Sequence, residues 1–288
     1  MSEKNKGILY ILCAAFCFAL MNLFVKAAGD LPFFEKAFFR NAVAIFFSYG
    51  VLLKNKIPLK CGKGNGLLIC GRAVFGTIGI FCNYYAIDQL NISDASMLNK
   101  LSPFFAILFS CFLLQERAKG YQIGCVAAAL FGTLFILKPG TENLLSFPAL
   151  IGVCGGAGAG MAYTLLRKAT SRGVAGPFIV FFFSVFSCLC CLPFCIFYYE
   201  PMNLKQLALL LLAGLSATGG QFSITAAYSH APAREISVYD YSQVLFAGIL
   251  GFVFLNELPD LFSYIGYAII IGASIFMFLK NQKHAHAT

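Results

Sequence analysis

Apolar residues in this chain come in long runs divided by short polar connections. At 1.5 Å per residue, a run of about 20 residues crosses the hydrocarbon of a bilayer. Ten runs meet that requirement: 7–28, 33–53, 64–87, 92–114, 119–137, 147–167, 176–198, 204–228, 233–255 and 260–280. Pro32, Pro58, Pro139, Pro148, Pro177, Pro201, Pro232 and Pro259 fall at or near their ends, where proline is least costly to a helix. The pattern predicts an all-α integral membrane protein of ten transmembrane helices. The first run reads as a spanning helix rather than a cleaved signal, because it is long enough to cross and has no small-residue cleavage site leading into a soluble chain.

Composition agrees with this reading. Of 288 residues, 59% are hydrophobic and only 11% charged, with a mean hydropathy of +0.79, too little charge to cover a water-facing surface. A soluble globule is excluded. The formal charge of +9 is a topology signal: with the N-terminus inside, fourteen Lys and Arg residues fall in inner connections, and only Lys36, Lys138 and Lys205 in outer ones. Both termini are expected on the cytoplasmic side of a plasma membrane. No basic soluble face exists for nucleic acid. The 12 cysteines sit mostly within apolar runs, where they act as small hydrophobes, so neither a disulfide framework nor a metal site is expected.

The chain also repeats itself. An offset of 141 residues lays Tyr85-Ala86-Ile87 on Ala226-Ala227-Tyr228, Asp94-Ala95-Ser96 on Glu235-Ile236-Ser237, and Leu114-Gln115-Glu116 on Leu255-Asn256-Glu257. The same offset carries Asn22 to Tyr163 and Lys26 to Arg167. Five spans per copy is an odd number, so the second copy must enter the membrane in the opposite sense. The expected fold is an inverted 5+5 repeat, residues 1–144 and 145–288, around a central cavity.

Several short motifs strengthen that expectation. They are Asn22-Leu23-Phe24-Val25-Lys26, Phe38-Phe39-Arg40, Arg72-Ala73-Val74-Phe75-Gly76, Tyr84-Tyr85-Ala86, Asp94-Ala95-Ser96, Ser102-Pro103-Phe104 and Glu116-Arg117, with an echo at Asn256-Glu257. In this order and spacing the chain resembles the drug/metabolite transporter superfamily, in particular its EamA-type members. The third and fourth spans are most similar to the branch holding the G-type solute carrier 35 proteins and the S-adenosylmethionine-uptake-like carriers. The resemblance implies ten helices and a cavity lined mainly by spans 1, 3, 4, 6, 8 and 9. It leaves the second span, with Arg40, at the periphery, so a structural role is expected for that arginine. The second copy departs from the pattern at Val244, which stands where Pro103 would recur.

A charge near the bilayer centre costs several kcal/mol and is a functional candidate by default. Lys100 is the deepest, in line with Ser96 and Pro103 on the fourth span. The equivalent face of the ninth span carries Ser237 and Tyr241, with Asp240 aligned to Asn99. Two readings stay open: Lys100 takes a carboxylate or phosphate while Asp240 takes an amine or a proton, or the two neutralise each other. Arg72 shares the third span with Asn83 and Tyr84, and its planar fork suits an acid group. Gln221, Thr225 and Tyr228 form one polar stripe on the eighth span. Asn22 and Tyr163 complete the candidate substrate-binding set. Lys26 and Arg167 lie near span ends, where anchoring is expected, and Glu116 and Glu257 are candidates for gates or helix-end anchors. Gly152, Gly156 and Gly160 on the sixth span permit close helix approach.

These residues favour a secondary carrier for a small polar organic solute over the other classes. An intramembrane enzyme would need a nucleophile with its base, paired carboxylates or clustered metal ligands, none of which stands at working spacing. A channel or scaffold has no need of an antiparallel duplication, and no P-loop is present for ATP drive. The cations within the spans point to an anionic or zwitterionic cargo such as an amino acid or derivative, with a nucleoside-like metabolite such as S-adenosylmethionine as the alternative. The expected partners are that solute, membrane lipids and, as coupling ions, protons. No cofactor is expected, and a monomer and a homodimer are both open.

Overall fold

A computed structural model describes residues 3–62, 64–113, 119–137, 146–230 and 237–285. Among them the chain is all-helical. The helices are α1 (Glu3–Ala27), α2 (Phe33–Lys54), α3 (Gly66–Gln89), α4 (Ile92–Asn99), α5 (Ser102–Leu113), α6 (Gly120–Leu137), α7 (Phe147–Ser171), α8 (Gly176–Phe197), α9 (Leu204–His230), α10 (Ser242–Leu255) and α11 (Leu261–Ala285). A 3-10 turn, Ser237–Tyr241, leads into α10. Eight stretches are long and apolar enough to cross a membrane, α4 and α5 counting together as Ile92–Leu113, and Gly120–Ile136 and Tyr239–Leu255 are shorter apolar helices. Outward-facing Phe46, Leu67, Phe112, Phe197 and Leu204 are each more than three-quarters exposed. Such a surface is costly in water and well solvated in hydrocarbon.

Local chemistry sets the helix ends. Pro148 and Pro177 occupy the first turns of α7 and α8, where the missing N–H costs no intrahelical bond. Gly29 and Gly173, just past α1 and α7, turn the chain at φ +76° and +83°, a conformation that disfavours side chains.

One expected helix is interrupted, and another begins in 3-10 geometry. The fourth run, read as one span over 92–114, breaks between α4 and α5 at Lys100 and Leu101. Pro103 accounts for the break, since its nitrogen cannot donate and its ring crowds the carbonyl one turn earlier. The chain passes the gap with a tighter bond from the Leu101 amide to the Leu98 carbonyl. The ninth run lacks a proline there, yet changes from 3-10 to α geometry at Tyr241 and Ser242.

The principal packing pairs are α1 with α9, α3 with α7, α2 with α8 and α6 with α11, while α10 packs on α1 and α4. Helix α7 is wedged between α3 and the broken α4–α5 helix by two glycine faces. On one face a Cβ at Gly158 would stand 3.0 Å from the Phe75 carbonyl oxygen; on the other, a Cβ at Gly156 would stand 2.6 Å from the Leu98 oxygen, and one at Gly160 2.8 Å from the Ser102 oxygen. The apolar core beside the break joins Met97, Leu98, Leu101 and Phe104 to Val126 of α6 and to Tyr267 and Ile270 of α11.

The neighbours of Gly156 and Gly160 are backbone atoms and the Cβ atoms of Leu101 and Phe105, none of which can rotate away. We therefore expect Gly156→Ala and Gly160→Ala each to destabilise the detergent-solubilised protein by about 1–3 kcal/mol, read as a lower melting temperature. Gly124→Ala, where a Cβ meets nothing within 4 Å, should be neutral or slightly stabilising.

Candidate functional site

A cavity of about 560 Å³ lies inside the bundle. Helix α3 supplies one wall with Arg72, Gly76, Gly79, Ile80, Asn83 and Tyr84, and the break supplies Asn99, Lys100, Ser102 and Pro103. Opposite them stand Phe18 and Met21 of α1, Gln221 and Ile224 of α9, and Asp240 and Gln243. Arg40 of α2, Phe183 of α8, and Ala159, Ala162, Tyr163 and Arg167 of α7 complete the lining.

The broken α4–α5 helix and the 3-10 start of α10 meet at this cavity. Lys100 is the last-turn cap of α4, and its ammonium forms a short ion pair with the Asp240 carboxylate. The Tyr241 hydroxyl donates to the Lys100 carbonyl at 3.0 Å, filling an acceptor that the break leaves without a helical donor. Side chain and backbone of Lys100 are thus both held by the segment leading into α10. The pairing reading of Lys100 and Asp240 describes this geometry, with both side chains still on the cavity wall.

The arginines are held differently. Arg72 is almost fully buried, with its guanidinium carbon 4.2 Å from the centre of the Phe183 ring. Gly76 makes room for it, since a Cβ there would stand 2.2 Å from Nη1. Among the described residues, Nε and Nη1 of both Arg72 and Arg40, the Tyr84 hydroxyl and Asp240 Oδ1 are buried with no hydrogen-bond partner. Buried polar atoms are ordinarily satisfied. Six such atoms belong to residues that line this one cavity, the atoms themselves being buried in its wall.

Of the residues expected from the sequence, Arg72, Asn83, Tyr84, Asn99, Lys100, Tyr163, Gln221 and Asp240 line the cavity. Asn22 and Ser96 stand behind the wall, where the Asn22 amide donates to Ser96 Oγ at 3.0 Å across α1 and α4. Tyr241 likewise supports the break without lining the cavity. The side chains of Thr225, Tyr228 and Ser237, and all of Glu116, lie outside the described residues. Arg40, expected at the periphery, lines the cavity, and Arg167 does so as well. For Arg40 the missed signal is the i, i+4 spacing of Lys36 and Arg40 beside Glu35, a polar strip unsuited to a helix facing lipid on all sides.

The two ends of the bundle differ. One holds Glu3 and His230, 2.7 Å apart, and is called here the N-terminal face. At the far face Lys26 reaches both the Glu257 carboxylate and the Leu90 carbonyl in short contacts. Glu257 also accepts from the Ile92 amide at 2.9 Å, and Asn91 donates to the Leu258 carbonyl at 3.3 Å. Together these contacts tie the ends of α1 and α10 to the α3–α4 connection. The cavity is lined from the N-terminal-face halves of α7, α8 and α9 and from the far-face halves of α1 and α2, which places it in the middle of the bundle. Among the described residues no three His, Cys, Asp or Glu side chains form a metal-sized cluster.

A double-mutant cycle tests the pair at the break. Lys100→Gln and Asp240→Asn each leave a charge in a poorly hydrated wall, so each single variant should lose about 1–3 kcal/mol of stability. The double variant should lose clearly less than their sum, whereas additive losses in melting experiments would show that the two groups act independently.

Comparison with known proteins gives a consistent result. The model of the EamA-like transporter family matches twice, at residues 5–138 and 146–279. The chain is 31% identical over 273 residues to the pseudopaline exporter CntI of Pseudomonas aeruginosa strain UCBPP-PA14, covering 94% of this chain and 95% of the relative. It is 24% identical over 283 residues to an S-adenosylmethionine uptake transporter of Rickettsia prowazekii, with 96% and 94% coverage. A solved crystal structure shares the fold at a TM-score of 0.64 and 16% identity, covering 97% of this chain and 98% of that one.

Proposed function

The chain belongs to the EamA-like transporter family, and from that premise we propose that it is a secondary, non-ATP carrier of a small anionic or zwitterionic organic solute, working by alternating access. Its family and its relatives are membrane transporters rather than enzymes. The observation that carries the proposal is the meeting of the broken α4–α5 helix and the 3-10 start of α10 on one polar cavity inside the bundle. Interrupted helices in corresponding places of two halves are where carriers of inverted-repeat design hold their cargo.

Ten spans in two inverted halves are part of the proposal. Three observations support them. The two family matches begin at residues 5 and 146, a step of 141. Lys100 at the break and Tyr241 at the start of α10 are separated by 141 as well. The packing pairs exchange under the same step, α1·α9 becoming α7·α3 while α2·α8 and α6·α11 map onto themselves. In this reading residues 1–144 and 145–288 are the two halves, and the excess of Lys and Arg puts both termini in the cytoplasm.

Arg72 and Lys100 attract the acid group of the cargo, while Asp240 takes an amine or a proton. Tyr84, Asn83, Asn99, Tyr163 and Gln221 offer hydrogen bonds. A nucleoside-like cargo is the second reading, favoured by the S-adenosylmethionine carrier among the relatives. A channel fits less well, because a static pore has no need of an antiparallel duplication.

Purified protein in liposomes preloaded with cargo should show counter-exchange that saturates with external concentration. Lys100→Gln should lower that exchange at least about tenfold, as expected for loss of a charge-assisted contact. Flux that rises linearly to high concentration, with Lys100→Gln unaffected, would favour a pore.

A further inference from the structure

Two helix ends on the N-terminal face close with the same turn and differ in one residue. At the end of α7 the Gly173 amide donates to the Thr170 carbonyl at 2.9 Å, and the Val174 amide to the Ala169 carbonyl at 3.2 Å. At the end of α2 the Lys56 amide donates to the Leu53 carbonyl at 3.2 Å, and the Ile57 amide to the Leu52 carbonyl at 3.0 Å. This helix stop needs left-handed backbone at the residue after the cap, which is why glycine is usual there. Gly173 takes it freely at φ +83°, whereas Lys56 takes it at φ +53°, where a side chain crowds its own backbone. The Lys56 side chain is exposed and has no hydrogen bond or ion pair among the described residues. Nothing within the protein therefore offsets the cost of a lysine at this position.

The surroundings of Lys56 are cationic. Lys54 and Lys60 flank it in the α2–α3 connection and Arg172 caps α7, all exposed and, among the described residues, none in an ion pair. The two connections share one apolar cluster, in which Ile57 and Cys61 pack with Ala169, Val174 and Ile179. No Asp or Glu occurs in the sequence between Glu35 and Asp88, nor between Glu142 and Glu200. Glu3, the acid that the described residues place at this face, is taken by Lys6 and His230. Leu53, Leu59 and Leu67 border the cations, each more than half exposed. Exposed leucines belong in hydrocarbon, so the cations beside them stand at its edge, level with lipid headgroups.

We infer that the α2–α3 connection, together with Arg172, is a docking surface for anionic phospholipid headgroups. Lys56 keeps its costly backbone because its ammonium meets a lipid phosphate, so the turn is offset by the membrane rather than by the protein. The inference is independent of the cargo and of the carrier reading.

The chain has no tryptophan, so Leu59→Trp is a single reporter at this surface and Phe197→Trp a single reporter at the far face. In liposomes, quenching by brominated phosphatidylglycerol and by brominated phosphatidylcholine gives the relative affinity of the two lipids at each reporter. We expect at least about a threefold preference for phosphatidylglycerol at Leu59→Trp, weakening with salt, and none at Phe197→Trp. Adding Lys54→Gln, Lys56→Gln and Lys60→Gln together should bring the Leu59→Trp ratio to about one. Lys119→Gln with Lys280→Gln, which removes cations elsewhere on the same face, should leave it unchanged. Lys56→Gly alone should lower the ratio and, in uncharged detergent, melt no lower than wild type.

A ratio near one at Leu59→Trp would overturn the inference, as would an equal preference at both reporters. A preference that survives the triple variant, or is lost equally in the Lys119 and Lys280 variant, would overturn it too. Lys56→Gly melting lower than wild type would show that the lysine serves the fold instead. Loss of the preference on adding inorganic phosphate at constant ionic strength would assign the cations to a soluble anion and reject the lipid.

Discussion

A backbone carbonyl without a donor and a cation without a partner are both expensive inside a membrane protein, and this chain puts the two on one residue. Lys100 stands where Pro103 breaks the fourth apolar run, so its carbonyl has lost its helical donor and its ammonium lies at the depth of the cavity. Both needs are met from the ninth run: Tyr241 donates to the carbonyl, and Asp240 pairs with the ammonium. A break that would otherwise weaken the bundle becomes a joint between its two parts. The remaining walls of the cavity are arranged around that joint.

Close packing fixes the position of the joint. The glycine faces of α7 bring its backbone against α3 on one side and against α4–α5 on the other, so the break cannot drift towards lipid. Across the cavity, α1 packs along α9 and carries α10 with it. Two groups of helices thus face each other, α3 with α7 and α4–α5, and α1 with α9 and α10. They touch at the far face through Lys26, Glu257, Leu90 and Ile92, through the Asn22–Ser96 hydrogen bond, and at the joint. The cavity lies between them. The polar contacts of that face lie over an apolar layer in which Ala19 and Leu23 of α1 pack with Ile92 of α4 and Ala247 of α10, so parting the two groups there also exposes apolar surface.

The sequence made much of this legible. Run length and the paucity of charge are coarse properties, and they located the helices to within a few residues. Lys100 and Asp240 were visible because charge in an apolar run is rare, and the 141-residue step brought them into register. The interruption of the fourth run was less visible, because an apolar run looks the same whether or not its backbone is continuous; Pro103 was the only sign, and the ninth run has none. Side-chain direction was the weakest point. Asn22 and Ser96 have the polarity expected of a binding group, yet they satisfy each other behind the wall. Arg40 was assigned to the periphery by its helix, whereas its position on that helix turns it inward. Lys26 and Glu257 looked like separate anchors, since nothing in a linear sequence brings the end of the first run to the end of the ninth.

If two helix groups rock about the Lys100–Tyr241 joint, the two faces must move in opposite senses. Double electron–electron resonance measures this most directly, with spin labels on non-natural residues so that the 12 native cysteines stay untouched. One pair, at Gln89 and Leu258, spans the contacts at the far face; the other, at Asn5 and Ser171, spans the two groups at the N-terminal face. Saturating cargo should lengthen the first distance and shorten the second within one sample. Distances that both stay fixed, or that both change in the same direction, would contradict alternating access about this joint.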